Sequence, residues 1–405
     1  MKIFYLRNYQ VRNKTVLVRV DYNVPLEKGK VADNHKIKAS LPTIKYLLQN
    51  NCKIILATHL GRPNGQIVHS LKVDPLVKEL NKLLPKVKII KVDDCIGKEI
   101  KENISKAKPR QIILLENLRF YKEEEKDNPF FAHSLADFAD LYINDAFAVS
   151  HRKHASVHNI TKYLPSVAGF LLEREIKQLS KALKPRKPAV WIMGGAKLNK
   201  IDLIKQALKR ADYILIGGAL AFSFLKAKGI SVGMSKTDKD SVDVAKKILK
   251  KRSARKIILP LDFVTATTFS SNAKTKTVAY NRIENGEIAL DMGVKSIDIF
   301  KHYLRKAHTI VWNGPLGYFE WAKFAKSTKE IGRLLGKLTA TSICGGGETV
   351  EAIKKFHLQH NISHLSTGGG AALTFLSGKK LPGVEALEKN YKMFRKEMDK
   401  IRNQK

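Results

Sequence analysis

Short apolar runs alternate with amphipathic stretches along the first 165 residues. VLVRV (16–20), KIILAT (53–58), VKIIKV (87–92), QIILLE (111–116) and LYIND (141–145) are short apolar runs. They read as strands. Between them lie stretches of helical period, PTIKYLLQN, VDPLVKELNKLL, IGKEIKENIS and FFAHSLADFA. That alternation predicts a parallel sheet with crossover helices. After Pro165, SVAGFLLEREIKQLSKAL reads as one long helix with no strand beside it, ending at the proline-bearing break KPRKP. The scheme then repeats. AVWIM (189–193), YILIGG (213–218), KIILPLD (256–262), HTIVWNG (308–314), TSICGGG (341–347) and SHLSTGGG (363–370) read as strands, most of them running into glycine. The tail, VEALEKNYKMFRKEMDKIRNQK, reads as a basic helix. The fold class predicted is α/β, with two Rossmann-like, doubly wound parallel-sheet domains joined by a hinge helix. The boundaries fall at 1–165, 166–184 for the interdomain helix, and 185–385.

Bulk properties alter this picture little. At 405 residues the chain exceeds what one core usually supports. No run of about 18 apolar residues is present, which argues against a membrane-spanning helix. The start, MKIFYLRNYQVRNK, lacks the apolar core of a secretory signal. Cys52, Cys95 and Cys344 are few and odd in number, and they read as reduced thiols of a cytoplasmic protein. Cys344 reads as a small buried residue at a strand end rather than a reactive thiol. The charge is less ordinary: 74 basic against 37 acidic residues leave +37. An anionic substrate on a lysine-rich background accounts for it, and non-specific contact with nucleic acid is the alternative.

In open parallel sheets ligands bind beyond the carboxyl ends of the strands, so the residues after each run carry the chemistry. In the first half these are Asp21 and Asn23, His59 and Arg62 in HLGRP, Asn117 and Arg119, and Asp145 with His151 and Arg152. Several cations reaching one edge imply a small, multiply anionic ligand, because guanidinium groups pair bidentately with phosphate and carboxylate. HRKHASVH (151–158) has histidine spacing that can suggest zinc, but no cysteine or nearby carboxylate completes a site; one histidine at the anion and one packed is the reading taken. In the second half the strand ends are glycines, in GGAKLNK, GGALAFSF, WNGPLGYFE, GGGETVEAI and STGGGAALTF. Glycine admits close backbone approach, and helix N-termini present free N–H groups, a combination suited to polyphosphate. Lys197 and Lys200, three apart, can face one way from the first turn of a helix and hold phosphate oxygens. Glu320 and Glu348 are candidates for a ribose hydroxyl and for magnesium. A small-anion domain beside a nucleotide domain implies phosphoryl transfer, chemistry that rests on positioning and charge neutralisation.

Taken together the motifs resemble the phosphoglycerate kinase family almost end to end: VLVRVDYNVP, THLGRP, LLENLRFYKEE, YINDAFAVSHRKHAS, AGFLLEREI, GGAKLNKI, LPLDF, VWNGPLGYFE, GGGETVEA, STGGGAAL and LPGVEAL. The resemblance implies reversible transfer of the acyl phosphate of 1,3-bisphosphoglycerate to ADP with Mg2+, giving 3-phosphoglycerate and ATP, in glycolysis and gluconeogenesis. It implies a cytoplasmic, hinge-bending monomer whose C-terminal helix, 386–405, returns to the first domain. Carried over by motif, Asp21, Tyr22, Asn23, Lys36, His59, Leu60, Gly61, Arg62, Arg119 and Arg152 bind 3-phosphoglycerate. Gly194, Lys197, Lys200, Gly218, Gly293, Asn313, Pro315, Glu320, Gly346, Gly347, Glu348 and Thr349 bind the nucleotide, with Glu348 facing its magnesium. Lys36, Lys197, Gly369 and Gly370 surround the transferring group.

The chain also departs from the family pattern. Lys36 stands where the family has arginine, keeping the charge but losing the planar fork. GGAKLNK is one residue shorter than the usual GGAKVxDK and lacks its aspartate, which turns Lys200 by about 100° around the helix relative to Lys197. Glu348 replaces an aspartate, Ala372 and Thr374 alter STGGGASLE, and Ala148 replaces a frequent glycine. These changes leave open a catalytically weakened member acting as an anion- or nucleic-acid-binding protein. A kinase for another small carboxylate fits the substrate-side motifs less well.

Overall fold

The computed structural model describes residues 2–195 and 201–402. It divides into two compact units, Met1–Ile176 with Lys380–Lys405, and Lys177–Lys379. The division falls inside the helix Phe170–Leu183 and just before the helix Pro382–Arg402.

The first unit contains β1 (Thr15–Val20), a small hairpin of β2 (Leu26–Glu27) and β3 (Lys30–Val31), then β4 (Lys53–Ala57), β5 (Ile89–Lys91), β6 (Ile112–Leu114), β7 (Leu141–Asp145) and β8 (Ser166–Ala168). Its main sheet runs β5-β6-β4-β1-β7-β8, every pair parallel. Alternation along the central strand divides the core. Val16, Val18, Val20 and Tyr22 pack with Ile54 and Leu56 on one face, and Leu17 packs with Ile55 and Ile113 on the other. Burial on both faces is why these strands read as unbroken apolar runs. The chain leaves β1 toward β4 on one side, and β7 returns on the other, so a topological switch point lies between β1 and β7.

The expectation of one uninterrupted helix from residue 166 is corrected. Ser166–Ala168 is a strand pairing with Tyr142–Asn144, and the helix begins at Phe170. Asp145 sets that start. Its Oδ1 accepts the Leu171 and Leu172 amides at 2.8 and 3.3 Å, and a side chain at Gly169 would collide with the same carboxylate. The C-terminal helix packs on β8 and on Asn159–Lys162. There Asn390 donates to the carbonyls of Thr161 and Leu164 and accepts the Ser166 amide. Its return to the first unit accords with the family resemblance.

The second unit contains β9 (Ala189–Met193), β10 (Tyr213–Ile216), β11 (Ile257–Ile258), β12 (Asp262–Ala266), β13 (Thr275–Ala279), β14 (Ile288–Met292), β15 (Thr309–Asn313), β16 (Thr341–Cys344) and β17 (His364–Leu365). The main sheet, again parallel, runs β11-β10-β9-β15-β16-β17, with its switch point between β9 and β15. KIILPLD is not one strand, as the sequence suggests. Pro260 interrupts it, and Asp262 opens the central strand of a separate antiparallel sheet, β13-β12-β14, which the apolar pattern does not reveal. Cys52, Cys95 and Cys344 are all buried free thiols.

Candidate active site

At the switch point of the first unit, the end of β1 delivers Asp21 and Asn23. The Asp21 carboxylate accepts the Lys36 ammonium at 2.7 Å. Lys36 lies in the first turn of the helix His35–Gln49, donates also to the Asn23 carbonyl at 3.1 Å, and keeps about a third of its side chain exposed. Asn23 accepts the Gly61 amide at 2.9 Å, which ties the β1 loop to HLGRP. There the backbone takes a positive φ of 65° at Gly61, a conformation that favours glycine. The Leu60 amide donates to Asn117, whose side chain donates back to the Leu60 carbonyl.

The cations converge behind this frame. Arg119 is buried and donates from Nη1 to the Gly61 carbonyl at 2.8 Å. Its Nη2 faces Glu125 at 3.1 Å, yet neither Nε nor Nη2 makes a hydrogen bond among the described residues. Buried donors left this way are costly unless a ligand supplies acceptors. Arg152 lies beside His151 at 3.4 Å, and Arg62 is exposed. His59 is buried. Burial, then the charges of Arg19, Arg119 and Lys36, hold its imidazole well below the usual histidine range, so it is neutral at pH 7.

Some sequence-derived assignments land elsewhere. Tyr22 sends its ring into the core and its hydroxyl to Ser40 at 2.8 Å, on the face shared with Val16, Val18 and Val20. Of the HRKHASVH histidines, His154 faces Glu124 at 3.7 Å, His158 pairs with Asp127 at 2.7 Å, and His151 sits at the cationic cluster. Sequence reasoning also misses a buried layer. Arg19 donates to Ser156 at 2.8 Å, lies 3.3 Å from His59 Nδ1, and faces Glu124, which accepts the Ser156 hydroxyl at 2.6 Å and its amide at 2.9 Å. Burial pushes the Glu124 carboxyl up, but His154, Arg19 and Ser156 outweigh it and keep it ionised. The signal was present: an arginine inside the apolar run VLVRV needs a buried partner.

In the second unit, backbone does the work. The loops after β9, β10 and β15 touch at glycines. Gly194 donates to the Asn313 carbonyl, Gly195 to Pro315 and Gly218 to Leu316, at 2.8 to 3.0 Å. A Cβ on Gly194 would overlap the Pro315 carbonyl oxygen, and one on Gly218 would crowd Gly195 and Pro315. Beside this seam lies a cleft of about 540 Å³, walled by Phe222, Phe263, Leu290, Leu316 and Tyr318, with Glu320 and Glu348 on its lining. An apolar slot with a few polar groups suits a flat heterocycle. Next to it, Gly347 opens the helix Gly347–Lys355 and Gly369 opens the helix Gly369–Leu376. Among the described residues nothing lies within 4 Å of the position of a Cβ on either glycine, which leaves both helix N-termini accessible to a ligand there.

Asn313 donates to the Gly345 carbonyl at 2.6 Å, leaving its buried Oδ1 without a hydrogen bond among the described residues. Gly346 has φ 98° and packs against that amide. Thr349 is buried, and its hydroxyl accepts the Gly314 amide at 2.6 Å, so it ties two loops together. Gly293 precedes the helix Val294–Arg305, where a Cβ would meet the Asp262 carboxylate that caps Ser296 at 2.8 Å. Gly293 is not among the residues that line the cleft. Lys197 and Lys200 lie outside the described residues. No cluster of three or more metal-ligating side chains exists among the described residues.

Comparison with known proteins gives the same result over both units. The family model for phosphoglycerate kinase matches residues 6–379. The chain is 46% identical over 386 residues to the phosphoglycerate kinase of Moorella thermoacetica, covering 94% of this chain and 98% of that one. It is 46% identical over 388 residues to the chloroplastic phosphoglycerate kinase of Volvox carteri, covering 93% and 84%. The solved structure of phosphoglycerate kinase from Coxiella burnetii superposes with a TM-score of 0.87 at 35% identity, over 96% of this chain and 99% of that one. That from Pyrococcus horikoshii gives 0.85 at 32% identity, over 97% and 100%. With the motifs of the sequence, the two switch-point sites and a match from residue 6 to 379, the chain belongs to the phosphoglycerate kinase family.

Proposed function

We propose that the first unit binds 3-phosphoglycerate, the second binds the Mg-nucleotide, and the chain transfers a phosphoryl group reversibly between 1,3-bisphosphoglycerate and ADP. The observation that carries this reading is the contrast between the two switch points. One gathers Lys36, His59, Arg62, Arg119 and Arg152; the other offers glycine backbone, two open helix N-termini and an apolar cleft. In this reading Arg62 and Arg152 pair with the ligand phosphate, and Arg119, whose Nε makes no hydrogen bond among the described residues, completes the cradle. Neutral His59 donates a hydrogen bond without adding charge. Lys36, held by Asp21, meets the oxygens of the transferring group, where one preorganised donor is worth about 10²–10³ in rate.

The cleft takes the base, Glu320 the ribose, and the N-termini at Gly347 and Gly369 the phosphates. Magnesium usually reaches kinase sites through one or two carboxylates plus nucleotide phosphates. Glu348, exposed in the first turn of Gly347–Lys355, fits that requirement. The metal would neutralise charge on the phosphates. In-line transfer requires the two ligands to meet, so the reading includes closure during turnover of a cytoplasmic monomer.

Separate calorimetric titrations test the assignment of the two units. Arg62→Ala and Arg152→Ala should each weaken 3-phosphoglycerate binding about tenfold or more and leave MgADP affinity unchanged. Unchanged 3-phosphoglycerate affinity in both variants would overturn it.

A further inference from the structure

A parallel sheet has two ends, and in the second unit the nucleotide cleft uses only the carboxyl end. The loops that enter the amino ends of its strands carry a different feature. Before β11 stand Lys250, Lys251, Arg252 and Arg255, all exposed. Before β10 come Lys209 and Arg210, and before β9 the exposed Lys184, Arg186 and Lys187. Before β15 come Arg305 and Lys306, and before β16 Lys337, also exposed. Because the sheet order is β11-β10-β9-β15-β16, these five loops are consecutive neighbours in space. Asp212 is the one acidic residue in segments 184–188, 209–212, 250–256, 305–308 and 336–340.

The loops form one built rim. Lys256 donates to the Leu208 and Ala211 carbonyls at 2.9 and 2.8 Å, joining the β11 and β10 loops. Lys187 meets Asp212 at 3.1 Å, joining β10 to β9. His308 lies 2.6 Å from the Lys187 carbonyl and Thr309 donates to the Arg186 carbonyl at 2.9 Å, joining β9 to β15. The amino end of the first unit's sheet carries cations too, Arg12 and Lys14 before β1, Lys86 and Lys88 before β5, and Lys106, Lys108 and Arg110 before β6, but they are interrupted: the loop before β7 carries Asp137 and Asp140, and the loop before β4 is Asn50–Asn51–Cys52.

We propose that this rim is a non-sequence-specific binding surface for the phosphodiester backbone of duplex nucleic acid. Five strand starts at about 4.8 Å spacing span about 19 Å. Over that length a duplex, with one charge per about 1.7 Å, presents on the order of ten phosphates. None of the large apolar side chains exposed among the described residues falls in these loops, so the surface has neither an insertion group for a bilayer nor a stacking platform for single strands.

The test is fluorescence anisotropy with a labelled 20-base-pair duplex of arbitrary sequence, titrated at several salt concentrations. The rim variant carries Lys184→Glu, Arg186→Glu, Lys251→Glu and Arg252→Glu. The control carries the same charge change at the exposed Lys101, Lys106, Lys389 and Lys392 of the first unit. The native chain should bind with a steep loss of affinity in salt. The rim variant should lose about thirtyfold or more and flatten the salt slope by about 3 to 4, with phosphoryl transfer unchanged. The control should keep most of the binding. Equal loss in both variants would reduce the effect to net charge and overturn the proposal. So would no duplex binding by the native chain, or binding confined to phosphatidylserine vesicles.

Discussion

Lys36 shows how a single side chain is held ready. Its ammonium is fixed by Asp21 at 2.7 Å and by the Asn23 carbonyl at 3.1 Å, while about a third of the side chain still faces solvent. Lys36→Met should lower kcat by about 10²–10³ while leaving the thermal transition nearly in place, and Lys36→Arg should retain most of the rate; paired steady-state and melting measurements check both. Asp291 makes a different prediction. Burial raises its carboxyl from 3.8 to about 7, although Ser327 and Met292 donate to it. A raised carboxyl pKa contributes stability below the unfolded value, and that contribution is lost as pH rises through 7. Unfolding free energy of the second unit should therefore fall by up to about 4 kcal/mol between pH 4 and 8. Asp291→Asn should flatten that profile in urea titrations, and an unchanged slope would contradict it. Residue identity alone did not place Tyr22, but strand parity could have: it shares its face with Val16, Val18 and Val20.

At the scale of elements, the apolar runs were legible because a strand buried on both faces has no polar alternation to confuse it. The antiparallel sheet was not legible. Its strand Thr275–Ala279 is largely exposed and therefore carries little apolar signal. The strand Ser166–Ala168 was hidden because its three small or apolar residues continue smoothly into a helical pattern, and only the tertiary contact of Asp145 with Gly169 and Leu171 separates them. Close loop packing yields a test. Gly194→Ala would force the β9 loop off the Pro315 carbonyl, an overpacking of about 1–3 kcal/mol. MgADP affinity should fall about tenfold or more while 3-phosphoglycerate affinity stays constant, as separate titrations would show. Asn390→Ala should cost about 2–3 kcal/mol in chemical denaturation, because it strands the Thr161 and Leu164 carbonyls and the Ser166 amide in the core.

At the scale of the whole molecule, two parallel sheets each reverse strand order at their centre, and the proposed function places one ligand at each reversal. The residue types at the two reversals were legible at the carboxyl ends of the strands, cations in one unit and glycines in the other. The Arg19–Glu124–Ser156 layer behind the cations was not, because those residues come from three distant segments that only the fold brings together. The central claim is that this chain, with lysine at position 36 and the short GGAKLNK segment, performs the chemistry of its family. The most direct measurement is steady-state turnover of the purified chain with 3-phosphoglycerate and MgATP, followed by coupled consumption of the 1,3-bisphosphoglycerate formed. The account predicts saturable turnover in both substrates that Lys36→Met reduces by about 10²–10³. Tight binding of both ligands without turnover would contradict it.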